Sequence, residues 1–338
     1  MRKKNAAGQS IAVSALLMAA LFLLPLVVVA PFQRELLPEK HPVLEKEQKP
    51  FVSGKADGER LLRVLHNGEV TEMDLGTYLV GVVRAEMPAS FELEALKAQT
   101  VAARTYTLYK LSTGGNHGET AHICTDHTCC QAWLDEETAR ANWGADADAY
   151  EEKVERAVRE TDGEVVLYQG EPILAVFHSS SAGRTRGAED VWTSALPYLQ
   201  PVDSPEPGET IPNYYSRVEF QQEAFCRLLQ SARPEADLSG DPAAWLQDAA
   251  TDEAGSVLTV TIGGVRMKGS ELRSILGLRS ACFTWEVEED SVVFFVTGYG
   301  HGVGMSQYGA SAMAAEGTDY RDILTHYYTG TTVGPWQG

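Results

Sequence analysis

Residues 11–30, IAVSALLMAALFLLPLVVVA, form an apolar run without a single charge. At about 1.5 Å of rise per residue, a helix over this run crosses the roughly 30 Å hydrocarbon core of a bilayer. The basic MRKK before it would keep the N-terminus inside and the bulk of the chain outside. The competing reading is a cleaved signal peptide, cut after Ala30 with Val28 and Ala30 as its small residues. Pro31 would obstruct that cut and the run is long for a signal, so a retained single-pass anchor in the cell membrane is expected. Residues 1–10 are then cytoplasmic and 11–30 transmembrane. Residues 31–58, polar and bearing Pro31, Pro38, Pro42 and Pro50, are an extracytoplasmic linker that cannot bury enough apolar surface to fold alone.

Residues 59–338 are expected to form one folded domain. LLRVLHNGEVTEMDL reads as two strands around an Asn67-Gly68 turn. Leu75, Tyr78, Leu79, Val82 and Val83 then fall on one face of a helix that Pro88 should end near Glu86. A second helix, from about Glu92 to Leu111, is alanine-rich yet polar at Lys97, Gln99, Thr100 and Arg104. Helical segments to about Thr161 follow, and then EVVLYQGEPILAVFHSSSAG as a hairpin emptying into a Ser/Gly loop. EFQQEAFCRLLQSA is a predicted helix, SVLTVTIGGVRM a strand pair, GSELRSILG a short helix and FTWEVEEDSVVFFVTG a hairpin. Ser306 to Ala315 and Tyr320 to Tyr328 are two closing helices. Without a regular strand-helix alternation, this favours an α+β class of mixed helices and antiparallel hairpins forming a substrate cleft. A net charge of −19 argues against nucleic acid as a partner, because phosphate binding relies on Lys and Arg.

Glu86 at a helix C-terminus faces the negative end of the dipole, which disfavours its ionised form. Burial would push the same way, towards the protonated state that a general acid needs. Arg104, among small residues, requires a carboxylate or a ligand, and Lys97 lies one heptad earlier; the pair could line one wall of a cleft.

GYGHGVGMSQYGA, residues 298–310, does not fit G-x-G-x-x-G, and Tyr308 stands where a nucleophile elbow needs its second glycine. A tight strand-to-helix turn explains the glycines, though not the polar set of His301, Ser306 and Gln307. His178 beside Ser179 is a poor base-nucleophile pair, since such sites assemble in space. His117, His122, Cys124, His127, Cys129 and Cys130 crowd one loop, which favours a metal over disulfides, though in no standard zinc spacing.

VVRAEMPASFELEALKAQTVAARTY and GYGHGVGMSQYGA, with HSSSAG and CCQAW in order between them, together resemble the stage II sporulation protein D family of membrane-anchored peptidoglycan lytic transglycosylases. The resemblance implies that Glu86 is the catalytic acid. It implies a substrate of glycan strands stripped of stem peptides, cut between N-acetylmuramic acid and N-acetylglucosamine to leave 1,6-anhydro ends during sporulation and engulfment. Lys97, Gln99, Arg104, Tyr106, His178, Ser179, His301, Ser306, Gln307 and Tyr308 are the expected substrate-binding set. Zinc held by His117, Cys124 and Cys130 is implied by relatives with one histidine and two cysteines in this loop, with Cys129, His122 and His127 leaving the ligand choice open. Expected partners are a wall amidase like stage II sporulation protein P and a membrane protein. The rival reading is a non-catalytic, wall-binding enhancer of an amidase; a zinc hydrolase is disfavoured by the lack of H-E-x-x-H.

Overall fold

The computed structural model describes residues 50–336 apart from 116 and 193. The expected cytoplasmic segment, the anchor at 11–30 and the linker up to residue 49 lie outside the described residues. Among the described residues no helix is long and apolar enough to cross a membrane.

The chain enters its ordered body earlier than Glu59. A compact unit begins at Phe51. Phe51 packs on a core cluster, and a short helix α1 (Lys55–Gly58) buries Asp57 to 1% exposure. Its backbone is held by Asp162, which accepts from the amides of Ala56 and Asp57. The linker expectation fails over 51–58 because these contacts lie about a hundred residues away along the chain.

β1 (Leu61–His66) and β2 (Glu69–Asp74) pair antiparallel, and Asn67 and Gly68 take the positive φ that their tight turn requires. Asp74 caps α2 (Leu75–Glu86) by accepting from the Thr77 amide. The helix stops as Pro88 demands, with Met87 already extended at φ −127° and ψ 136°. The central element is α3 (Leu93–Ser112), whose alanines let it bury on several sides. Ala95, Leu96 and Ala103 enter one cluster with α2; Ala98, Val101 and Ala102 enter another with the closing helices.

β3 (Ile123–Cys124) adds parallel to β1. Next come α4 (Glu136–Trp143), α5 (Ala147–Glu160), and the hairpin β4 (Glu164–Tyr168) and β5 (Glu171–Pro172), followed by β6 (Phe177–His178) and a short α6 (Ala188–Val191). β7 (Tyr215–Gln221) precedes α7 (Gln222–Ala232), so Glu219 to Gln221, expected as helix, are strand. β8 (Leu246–Thr251), β9 (Val257–Ile262) and β10 (Val265–Lys268) form one antiparallel sheet, followed by α8 (Gly269–Leu276). β11 (Phe283–Val287) and β12 (Ser291–Thr297) join β7 in another, over a third core cluster around Phe225 and Phe294. β13 (Met305–Ser306) lies parallel to β6, then α9 (Gln307–Ala315), α10 (Tyr320–Tyr327) and β14 (Thr332–Pro335), which closes on β4. The class is α+β with mainly antiparallel sheets; the two short parallel pairings were not expected.

Candidate active site

Helix α2 delivers Glu86 at its last residue, and the loop after β3 supplies its partner. The Ala132 amide donates to Glu86 Oε1 at 2.7 Å. Burial raises the Glu86 carboxyl above its ordinary value, outweighing that hydrogen bond and nearby His127, which both act to lower it. Tyr106 on α3 senses Glu86 electrostatically, and its own hydroxyl is raised by burial and by the thiols beside it.

Residues two apart on α3 point about 200° apart around the helix. Gln99 and Tyr106 therefore share one face, and Lys97 and Arg104 share the opposite one. Arg104 is fully buried; its Nη2 and Nε donate to Asp57 at 2.7 and 2.8 Å, and Nη1 to the Glu164 carbonyl at 3.1 Å. Lys97 meets Glu94 at 2.8 Å and Glu160 at 2.7 Å and lies over the Tyr320 ring. The expectation that this pair lines a substrate wall is corrected: both cations are spent on packing α3 against α1, α5 and β4.

The glycine-rich stretch is an inward-folded turn. Gly298, Gly300, Gly302 and Gly304 all have positive φ, and at Gly304 a Cβ would stand 2.1 Å from the Val176 carbonyl oxygen. Ser306 is fully buried; it caps α9 by accepting from the Gly309 amide and donates to the Ser179 carbonyl at 3.5 Å. His301 Nδ1 accepts from the Val303 amide at 3.1 Å, and its ring also meets the Phe177 backbone. Burial lowers it to about 3, with His178 and Arg273 adding to the effect. His178, lowered by burial to about 4, uses Nδ1 on the Val303 carbonyl, and its Nε2 is buried without a partner. Both rings are neutral near pH 7. Direct hydrogen bonds from Ser306 and His301 to a sugar, as expected from sequence, are thus replaced by bonds that fold the loop.

Gln307 and Gln99 remain paired, Nε2 to Oε1 at 3.3 Å, both buried, with Gln99 Nε2 unpartnered. Tyr308 stacks edge-on against Phe91, in the loop between Glu86 and α3, with 4.9 Å between centroids. Its amide donates to the Ser179 carbonyl at 3.0 Å. These contacts join Gln307 to α3, and Tyr308 with Ser179 to the loop that follows α2. Cavities of about 670 Å³ beside Cys226 and Trp245 and about 190 Å³ beside Arg184 and Arg186 are not lined by Glu86.

His117, Cys124, Cys129 and Cys130 bring one donor atom each to within 4.8 Å of one another. His117 Nε2 lies 3.6 Å from both Cys129 Sγ and Cys130 Sγ, which are 3.9 Å apart. A tetrahedral zinc with its usual bond lengths has edges of ~3.6 Å from nitrogen to sulfur and ~3.8 Å between sulfurs. The donor set fits. Burial pushes the Cys130 thiol up to about 12 and raises Cys124, a penalty on thiolates that a bound divalent cation reverses. Sequence spacing left Cys129 undecided; the structure groups it with His117, Cys124 and Cys130. His122 Nδ1 instead accepts from the Arg63 amide, and His127 is exposed beside Asp126.

A partly buried acid at a helix end, its amide partner two residues past the last cysteine of a Cys/His cluster, defines a class of single-carboxyl site. The profile of SpoIID, Stage II sporulation protein, matches residues 66–168, which contain Glu86 and all four cluster residues. Stage II sporulation protein D of Bacillus subtilis (strain 168) is 34% identical over 333 residues, 94% of this chain and 93% of the relative. That of Bacillus amyloliquefaciens is 36% identical over 272 residues, 79% and 76% of the two chains. The chain belongs to the stage II sporulation protein D family. An amidase enhancer of Bacillus subtilis (strain 168) is 31% identical over 303 residues, 75% of this chain and 40% of that protein.

Proposed function

We propose that the chain is a lytic transglycosylase of peptidoglycan acting during sporulation. The observation that carries this reading is Glu86, a single carboxyl with a raised affinity for its proton and one oxygen held by a backbone amide. Protonated Glu86 donates to the oxygen bridging N-acetylmuramic acid to N-acetylglucosamine as the C1–O bond breaks and positive charge develops at C1. The carboxylate left behind takes the proton of the muramic acid C6 hydroxyl, whose oxygen bonds to C1. Glu86 regains its proton, no water is consumed, and the product carries a 1,6-anhydro ring. Burial serves both halves, since it favours the protonated acid and makes its conjugate base stronger. Tyr106, Ser179 and Tyr308 are the residues left to hold the strand, while Gln99 and Gln307, buried against one another, brace α9 on α3.

His117, Cys124, Cys129 and Cys130 would hold a zinc ion, and with four protein donors the ion would supply folding energy rather than an activated water. On this reading a membrane anchor at 11–30 would hold the body outside the cell membrane, with a wall amidase and a membrane protein as its partners. The second reading, a non-catalytic enhancer of an amidase, is favoured by the likeness to the amidase enhancer.

Incubating the full chain with amidase-treated glycan strands separates these readings by mass spectrometry. Anhydro ends lost in Glu86→Gln support the transglycosylase; hydrolytic ends, heavier by one water, or binding without cutting refute it.

A further inference from the structure

Four consecutive residues connect the sulfur cluster to the candidate acid. Cys129 and Cys130 each place Sγ 3.6 Å from His117 Nε2. Gln131, 2% exposed, accepts at Oε1 from Thr107 Oγ1 on α3 at 3.0 Å and from the Tyr78 hydroxyl on α2 at 3.4 Å. Ala132 then donates its amide to Glu86 Oε1. The loop is therefore tied at one end by the cluster, in the middle by both helices, and at the other end to the carboxyl itself.

We propose that residues 129–132 are a positioning element for Glu86, set by the Cys/His centre at one end and pinned by Gln131. The carbonyl oxygen of a protonated carboxyl accepts more strongly than its hydroxyl oxygen, so the Ala132 amide favours Oε1 as the carbonyl-like atom. The proton then sits on Oε2, and the loop decides which way it points. This inference rests on the acid role proposed above and adds how that acid is aimed. A merely structural staple has a different signature. Losing it would lower stability but leave turnover per folded molecule intact, whereas a misaimed acid turns over slowly while still binding its strand.

The test uses the full chain with its metal bound, the same chain treated with a chelator, and two variants, Cys129→Ser and Gln131→Met. Gln131→Met keeps every sulfur and nitrogen donor and nearly the same shape, so it covers the case in which Cys129→Ser fails to fold. Hydrogen exchange is followed at the Ala132 amide in peptides that end before and after it, and kcat and KM are measured on stripped glycan strands. Chelation should speed exchange at Ala132, and both chelation and Gln131→Met should lower kcat by roughly 10-fold or more, with KM changed by less than about twofold. Exchange at Ala132 that ignores the chelator, or a folded Gln131→Met with wild-type kcat, overturns the positioning role while leaving anhydro products intact. Absence of anhydro ends from the untreated wild-type chain overturns the acid assignment and this inference with it.

Discussion

Arg104 and Glu86 are both ionisable residues on adjacent helices, yet the structure finishes one and leaves the other open. Arg104 has its guanidinium filled by Asp57, Thr161 and the Glu164 carbonyl, all inside the core. Glu86 has one amide on one oxygen, and burial raises its proton affinity instead of an ion pair lowering it. A buried charge with every valence met can be kept inside a fold and is costly only to break, and one with a valence to spare is available for chemistry.

Mutation can break this contrast in graded steps. The largest effect should come from Glu86→Gln, which removes the acid and should slow strand cutting by about 10²–10⁴-fold. Cutting at the wild-type rate would erase the distinction. Asp57→Ala, which strands a buried guanidinium, should cost about 3–5 kcal/mol of stability in denaturant unfolding, with turnover per folded molecule unchanged. A stable Asp57→Ala variant with poor turnover would return Arg104 to the substrate wall. Ser306→Ala removes a helix cap and should cost roughly 0.5–2 kcal/mol, with a smaller effect on KM than on melting temperature.

Stability against pH gives the finest test. An acid whose folded pKa is raised contributes stability that is complete below its unfolded value and is lost as pH rises through the folded one. The wild type should thus lose stability above about pH 4.5 relative to Glu86→Gln, which has no such proton to release. Parallel curves for the two proteins would mean that Glu86 is not perturbed.

How much of this was readable without coordinates follows the range of the interactions. The end of α2 at Glu86 was legible because Pro88 acts on its neighbour, and the β1–β2 turn because Asn67-Gly68 is a local signal. The face of α3 that carries Arg104 was misjudged because its partner, Asp57, lies in a segment whose prolines and charges read as linker. β7 was hidden behind the helix it precedes, although Ser216, Val218 and Phe220 alternate inward with period two. Pairings of two residues, β6 with β13 and β1 with β3, leave no periodic trace at all. In the candidate site, the raised acid followed from burial of the last residue of α2, which the sequence offered only as a condition, while the Ala132 amide that meets it did not, because a backbone donor carries no residue signature. Cys129 could be grouped with the other ligands only once the loop was folded.

The central claim is that burial raises the Glu86 carboxyl above the ordinary glutamate value, and carbon-13 NMR of its carboxyl in the folded chain reads this directly. The account requires a titration midpoint above 4.5, moving with chelation as the Ala132 contact loosens. A midpoint at or below 4.5 would contradict it.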